Sequence, residues 1–515
     1  MTKSKSANTT AAKVKSLDEL AVVVKKLKAQ GKVIVHCHGV FDLLHVGHIR
    51  HFREAKDMGD VLIVTLTPDH YVNKGPHRPA FKQLLRAEVI AALDCVDYVA
   101  INKWPRAVET IKLLKPDLYV KGPDYKNMEK DLTGGIKEEA DAVKSVKGKI
   151  ACTQDITFSS SNLINKFLPP FPKAVMDYLE AFKHRYDADK VLSYLAKTRP
   201  LKVMVIGETI IDEYQFCSAI GKSSKEPIIA LKHLKTEQYA GGVLAVGNHL
   251  SSFCDNVGLI TYLGESNPHL DFVKDNLARN IKPTFFYKSQ SPTIVKKRFI
   301  ENYFFTKLLE VYEINDRDLS EAEDKEFCRT LETEIPKYDI VIVFDFGHGM
   351  MSQKAIQTIC RKAKFLAINV QSNAGNLGFQ TVLKYPRADF ICMAENEVRM
   401  ELRDRHSDLK DVITGLYEKL SCEKVIVTRG KNGCLCFSKP EGFIEVPALA
   451  GQVVDRMGTG DAFLSITALC VYQKAPLEVV GFIGNIVGAQ AVATVGHSRF
   501  IEKVPLLKHI DTLMK

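Results

Sequence analysis

From Val33 to about Phe167, short apolar runs alternate with segments of helical spacing. Val33-Ile34-Val35 is followed by the pattern Ile49 to Met58, then Val61-Leu62-Ile63-Val64, Leu84 to Leu93, Tyr98-Val99-Ala100-Ile101 and Leu118-Tyr119-Val120. Strands that are apolar throughout are buried on both faces, and strands separated by helices pair in parallel, which predicts a doubly wound α/β sheet. Such sheets bind ligands at the carboxyl ends of their strands. The first run breaks at Gly39, and Gly39-Val40-Phe41-Asp42 leads to His45-Val46-Gly47-His48 in the first turn of the next helix. A strand that stops at glycine and re-enters as a helix aims unpaired N–H groups at one point, an anion site aided by the helix dipole. His45 and His48, three apart, share one side of that helix start. They can donate to phosphate oxygens whose charge grows as a bond to phosphorus breaks.

The chain has 515 residues, more than one ordinary core. Leu168-Pro169-Pro170-Phe171-Pro172 interrupts regular structure, and residues 173–198 carry helical spacing with Val175, Tyr178, Leu179 and Phe182 on one side. Val203-Met204-Val205-Ile206 opens a second α/β region, with further buried strands at Ile340 to Phe344, Phe365 to Ile368 and Val425 to Thr428. Between Phe216 and Tyr239, extended pieces such as Ile228-Ile229-Ala230 alternate with polar turns, as in a small β element projecting from the sheet. The expected organisation is a disordered tail over 1–16, a first domain over 17–170, a connecting helix over 171–198 and a second domain over 199–515.

Several function classes recede on composition. No apolar run approaches the ~18 residues of a membrane span. The N-terminus, rich in Lys, Ser and Thr, lacks the apolar core of a secretory signal. The 12 cysteines form no CxxC pair, which fits reduced thiols in the cytoplasm. A formal charge of +10 is scattered along the chain, and nucleotides and sugar phosphates account for it without nucleic acid; a nucleic-acid-binding protein is the rival this charge keeps in play. His36, Cys37, His38, His45, His48 and His51 crowd together, yet Cys37 faces away from its neighbours in the strand, and no CxxC or HExxH pattern supports zinc. No metal ligands are assigned.

The second region has one sharp stretch, Val454-Asp455-Arg456-Met457-Gly458-Thr459-Gly460-Asp461-Ala462-Phe463. Gly458 and Gly460 let backbone approach a transferring phosphate at a helix start. Asp461, among those N–H donors, is placed to take a proton from a substrate hydroxyl.

On these motifs the first domain resembles the nucleotidyltransferases of the cytidylyltransferase-like superfamily, most of all the adenylyltransferase half of the bifunctional heptose-phosphate kinases/adenylyltransferases. Besides His45 and His48, the matching pieces are Arg78-Pro79, Arg86, Val120-Lys121-Gly122, Asp124-Tyr125 and Ser159-Ser160-Ser161. The resemblance implies a Rossmann-type domain in which His45, His48 and Lys74 are catalytic. It implies nucleotide contacts from Gly39, Val40, Phe41, Asp42, Arg86, Lys121, Gly122, Asp124, Ser159, Ser160 and Ser161, with Mg²⁺ and a nucleoside triphosphate. ATP and CTP both stay open.

From about Leu201 onward the chain resembles the ribokinase-like (PfkB) sugar kinases, α/β proteins with a β lid. The likeness implies Asp461 as catalytic base and sugar contacts from Asp212, Gly241, Gly242, Lys296 and Arg298. It implies ATP contacts from Asn396, Thr428, Gly430, Gly433, Gly458 and Gly460, and a homodimer formed through the lid. Four departures stand out: Arg399 replaces the glutamate of the family's Asn-x-x-Glu, Ala245 an asparagine and His348 a lysine, and Asn369-Val370-Gln371 stands where the heptose kinases have Asp-Pro-Lys. Domain order is also reversed, with the kinase second. Two enzyme readings follow. One is a cytoplasmic bifunctional enzyme that phosphorylates a sugar phosphate and couples sugar 1-phosphate to a nucleotide, as in ADP-heptose synthesis. The other is a nucleotidyltransferase whose kinase-like domain senses sugar or dimerises.

Overall fold

The computed structural model describes residues 10–72, 75, 78–122, 135–154 and 171–515. Two compact units divide the chain, 1–176 together with 507–515, and 177–506. Both are α/β.

Among its described residues, the first unit has six strands, β1 (Val14–Lys15), β2 (Ile34–Gly39), β3 (Val61–Leu66), β4 (Tyr98–Ile101), β5 (Leu118–Lys121) and β6 (Lys149–Cys152). They form one parallel sheet in the order β1-β4-β3-β2-β5-β6. The chain steps outward from β2 through β3 to β4, then returns to β5 on the other side. The crevice of such a reversal lies at the carboxyl ends of β2 and β5, which are Gly39 and Lys121. One face of the sheet packs Val35, Leu62, Val64 and Val99 against Phe52 and Ala55 of helix Val46–Asp57. The other packs Ile34, Ile63 and Ala100 against Leu17, Leu20 and Val24 of helix Leu17–Ala29.

Two expectations about organisation are corrected. Residues 14–16 are structured, not tail: β1 pairs with β4, Lys13 Nζ donates to Leu93 O at 2.9 Å, and Ser16 closes a capping box with Glu19. A two-residue strand is too short to show alternation. Residues 1–9 lie outside the described set. Residues 173–198 hold two helices, Lys173–Arg185 and Ala188–Ala196, because Asp187 accepts from Lys190 N at 3.1 Å and starts a new helix.

The second unit has a nine-stranded sheet of β7 (Lys202–Gly207), β10 (Asn256–Gly264), β11 (Ile281–Lys288), β14 (Ile340–Asp345), β15 (Leu366–Val370), β16 (Arg387–Ala394), β17 (Ser421–Thr428), β18 (Cys434–Ser438) and β19 (Gly442–Val446). Its order is β11-β10-β7-β14-β15-β16-β17-β18-β19, parallel up to β17 and antiparallel beyond. A second sheet of four strands, in the order β13-β12-β8-β9, comprises β8 (Thr209–Lys222), β9 (Ile229–Gly242), β12 (Ile294–Glu301) and β13 (Thr306–Glu313). This lid is larger than the stretch Phe216 to Tyr239 suggests, since β12 joins β8 in parallel from 84 residues further on (Ile294 beside Ile210). The main sheet is covered by apolar helices, among them Thr459–Tyr472 and Leu477–Ala491, buried nearly all round. Among the described residues, no helix is long and apolar enough to cross a membrane.

Candidate functional site

In the first unit, β2 ends at Gly39 and the chain turns through Val40 and Phe41, whose φ of 47° is left-handed. The Phe41 ring meets His48 and Phe52 edge-on, at 5.3 and 5.0 Å between centroids. His45 is the cap before helix Val46–Asp57 and not part of its first turn: its Nδ1 accepts from Gly47 N at 3.2 Å. The His45 and His48 rings stack, with centroids 3.9 Å apart. Burial pushes the His45 imidazole below its ordinary value, so it is neutral at pH 7. With Nδ1 accepting, the hydrogen sits on Nε2, and the side chain is a donor.

Asp42 and Arg86 serve the loops around this point. Asp42 is buried and accepts from Arg78 Nη1 at 2.9 Å and from Ala80 N. Arg86 is buried too, and donates to Phe81 O, Val40 O, Thr67 O and Asp69 Oδ1. Four of its five N–H groups are spent on the framework, which makes it a positioning residue for the turn at Val40. Lys121, at the end of β5 before Gly122, pairs with Glu139 at 2.8 Å, and Tyr119 donates to the same carboxylate oxygen at 3.0 Å. Lys74, Asp124, Ser159, Ser160 and Ser161 lie outside the described residues. One feature was not foreseen. The Thr65 hydroxyl lies 2.7 Å from His36 Nε2 and 2.8 Å from His38 Nδ1, joining two strands under the Gly39 turn. A hydroxyl has one hydrogen, so at least one imidazole donates to it.

In the second unit, Asp461 lies buried in the first turn of helix Thr459–Tyr472, with Gly460 before it. Gln371 Nε2 donates to its Oδ1. Burial pushes the carboxyl up to about 7; Gln371 and Lys296 pull against this, and the nearby Asp212 and Glu397 add to it. Gly458 starts the helix at φ +69°, and a Cβ there would come within 2.0 Å of the His497 ring. A Cβ on Gly241 would meet Asp212 Oδ2 at 2.1 Å, so the bare backbone is what lets that carboxylate sit there; Gly242 follows and caps the next helix.

Asp212 and Arg298, expected to hold sugar, are bound to each other. Arg298 Nη1 donates to Asp212 Oδ1 and Nε donates to Glu310 at 2.9 Å, while His497 Nε2 lies 3.5 Å from Asp212 Oδ2. Lys296 keeps a buried ammonium with no hydrogen-bond partner among the described residues, 5.3 Å from the Tyr312 ring centroid. The departures are absorbed quietly. Arg399 turns to Glu395 at 2.8 Å, Ala245 is core, and burial lowers His348 to about 3, so it brings no charge. Asn396 is exposed beside Glu397, whose oxygens take Ser372 N and Ala394 N. Thr428 ends β17, and Gly430 and Gly433 bound the turn that follows. Buried Asn369 Oδ1 has no partner among the described residues, and among those residues no group of three or more acidic, histidine or cysteine side chains could hold a metal ion.

Asp455, to which the sequence assigned no role, holds the loop that enters Gly458. It accepts from Tyr214 OH at 2.6 Å, Lys307 Nζ at 2.6 Å, Gly496 N at 3.0 Å and Met457 N at 3.2 Å, so two lid strands grip the loop that enters Gly458. Its only sequence signal is an acid six residues before Asp461.

Comparisons with known proteins follow this division. The family described as pfkB family carbohydrate kinase matches residues 200–503, and the family described as Cytidylyltransferase-like matches 36–167. The protein named Bifunctional protein HldE of Geobacter metallireducens is 41% identical over 163 residues, 30% of this chain and 31% of that protein. Its namesake in Aliarcobacter butzleri is 44% identical over 139 residues, 26% of this chain and 29% of the other. The chain thus spans about a third of the length of the curated relatives it matches. Among solved structures, phosphofructokinase-2 of Escherichia coli in complex with potassium aligns at a TM-score of 0.48 and 14% identity, over 61% of this chain and all of the other.

Proposed function

This chain belongs to the pfkB family of carbohydrate kinases, and on that premise we propose that it is a bifunctional enzyme making a nucleotide-activated sugar. In the first unit, an oxygen of a sugar 1-phosphate attacks the α-phosphorus of a nucleoside triphosphate, and the bond to the bridging oxygen breaks to release pyrophosphate. The stacked pair His45 and His48 at the helix start carries this reading. Neutral His45 donates through Nε2 to oxygens that gain charge in the transition state, alongside the helix N–H groups. By resemblance, Lys74, Asp124 and Ser159 to Ser161 complete the triphosphate contacts, the nucleotide is ATP, with CTP the competitor, and the sugar is a heptose.

In the second unit, Asp461 takes the proton of the anomeric hydroxyl as that oxygen bonds to the γ-phosphorus of ATP. Lys296 is the cation for the sugar's distal phosphate, while Arg298 fixes Asp212. Mg²⁺ bound with the nucleotide would offset the charge of its phosphates. The lid exposes Ile228, Ile229, Tyr303 and Phe304, which supports a homodimer through this sheet. Twelve free cysteines fit a reducing cytoplasm.

A second reading, a sugar-binding unit without turnover, is favoured by one observation: the Asp212 carboxylate is already engaged by Arg298. Two variants separate the activities. His45→Ala is expected to lower pyrophosphate release about 10²–10³-fold and spare ADP release, and Asp461→Asn to do the reverse by about 10²–10⁴-fold. ADP release that survives Asp461→Asn contradicts the kinase assignment. A sugar phosphate that stabilises the protein without turnover establishes the second reading.

A further inference from the structure

We propose that Gln371 is a positioning residue for Asp461, holding Oδ1 through its side-chain amide so that Oδ2 is left for the hydroxyl to be phosphorylated. The inference rests on the reading of this unit as a sugar kinase. Gln371 directly follows β15, and its own N–H donates to Asp345 O at 3.0 Å, so the amide is borne by a fixed backbone. Asp461 comes from the first turn of another element, helix Thr459–Tyr472. The contact therefore ties the end of a central strand to the helix start at which phosphate would be transferred. Among the described residues, Gln371 is the one side chain that hydrogen-bonds the Asp461 carboxylate.

The other charged groups facing Asp461 are Asp212 from β8, Glu397 from helix Glu395–Leu402 and Lys296 from β12. Burial and the two acids favour the protonated carboxyl, against the single ammonium. A neutral amide orients the group without adding a charge, and its hydrogen bond works against the burial that pushes the carboxyl up to about 7. In the transfer step the hydroxyl oxygen bonds to the γ-phosphorus and its proton passes to Oδ2. The bond from the γ-phosphorus to the bridging oxygen breaks, and ADP leaves with that electron pair. Only the ionised carboxylate can accept the proton, so the rate rises with pH through this range.

A lysine at position 371 would place a cation within hydrogen-bond reach of the carboxylate. An opposite charge at that distance lowers a carboxyl by about 1–3 pH units. Removing the donor should instead raise it and free the side chain to rotate.

The test is the pH profile of kcat/KM for ADP release by the full-length protein, with ATP and sugar 7-phosphate. The wild-type acid limb is expected near pH 7. Gln371→Lys should move it down by at least about one unit. Gln371→Leu should move it up and lower kcat about tenfold or more, with KM for ATP unchanged. An acid limb that stays in place in both variants overturns the proposal, whether or not kcat falls, because a merely structural glutamine would leave the limb alone. If the wild type releases no ADP at any pH, the kinase reading fails. The contact is then judged by carboxyl ¹³C NMR titration, with the Asp461 signal identified by its loss in Asp461→Asn. A titration moved down by Gln371→Lys supports the pairing, and one unmoved refutes it.

Discussion

Replacing Asp455 by asparagine tests how the loop entering Gly458 is held. The carboxylate is buried, with Lys307 and Met457 donating to Oδ1 and Tyr214 and Gly496 donating to Oδ2. Asparagine keeps one acceptor oxygen and turns an NH₂ toward the other pair of donors. A hydrogen bond to a charged group contributes about 1.5–3 kcal/mol, and a buried donor left facing another costs about as much. The expected loss is about 3–4 kcal/mol, with the Lys307 ammonium left poorly paired. For a unit of this size that is a fall of about 4–6 °C in melting temperature, read by calorimetry on the full chain. Acidification supplies a second readout. Burial works to raise the Asp455 carboxyl, but its bonds to Lys307 and Tyr214 prevail and hold it below the ordinary carboxylate range. A carboxyl depressed in the folded state contributes stability that is present above the unfolded value and lost as pH falls through the folded one. The gap between wild type and Asp455→Asn should therefore persist from pH 8 to pH 5 and close below about pH 4. A melting temperature within about 1 °C of wild type at pH 7 refutes the reasoning, as does a gap unchanged at pH 3.

Arg86→Leu strands the Asp69 carboxylate and the carbonyls of Val40, Thr67 and Phe81, and should destabilise the first unit by about 3–5 kcal/mol. Trp104, the single tryptophan, packs against that unit's core, so urea unfolding followed by its fluorescence reports the change; an unshifted midpoint would show that Arg86 is not structural. Gly458→Ala puts a Cβ into the His497 ring and forces alanine into a left-handed backbone, at about 1–2 kcal/mol for the backbone alone. ADP release should be lost and pyrophosphate release kept; wild-type ADP release in this variant contradicts the placement of phosphate transfer at the start of helix Thr459–Tyr472.

The alternation of apolar runs and helical spacing was enough to anticipate β2, β3, β4, β5, β7, β14, β15 and β17, because buried parallel strands write their pattern locally. The positions of His45, His48 and Asp461 at helix starts were legible for the same reason, each sitting within a few residues of the glycines that shape its turn. Pairings at long range were not. Asp455 meets Tyr214 from 241 residues away and Lys307 from 148, and neither partner carries a mark in its own strand. Arg298 looked like a phosphate ligand because its strand, Lys296-Lys297-Arg298, shows only its charges; Asp212 and Glu310, which occupy it, arrive from the neighbouring strands β8 and β13. Arg399 looked like damage to a metal site, yet it folds back onto Glu395 one turn earlier in its own helix.

The central claim, that the stacked histidines serve nucleotidyl transfer to a sugar phosphate, is tested most directly by pyrophosphate release. The full-length protein would be given ATP or CTP with a panel of sugar 1-phosphates that includes heptose 1-phosphate, against polyol phosphates. Release is expected with ATP and heptose 1-phosphate, and its loss in the double variant His45→Ala/His48→Ala. Release that prefers CTP with a polyol phosphate, or that survives loss of both histidines, would contradict the central claim.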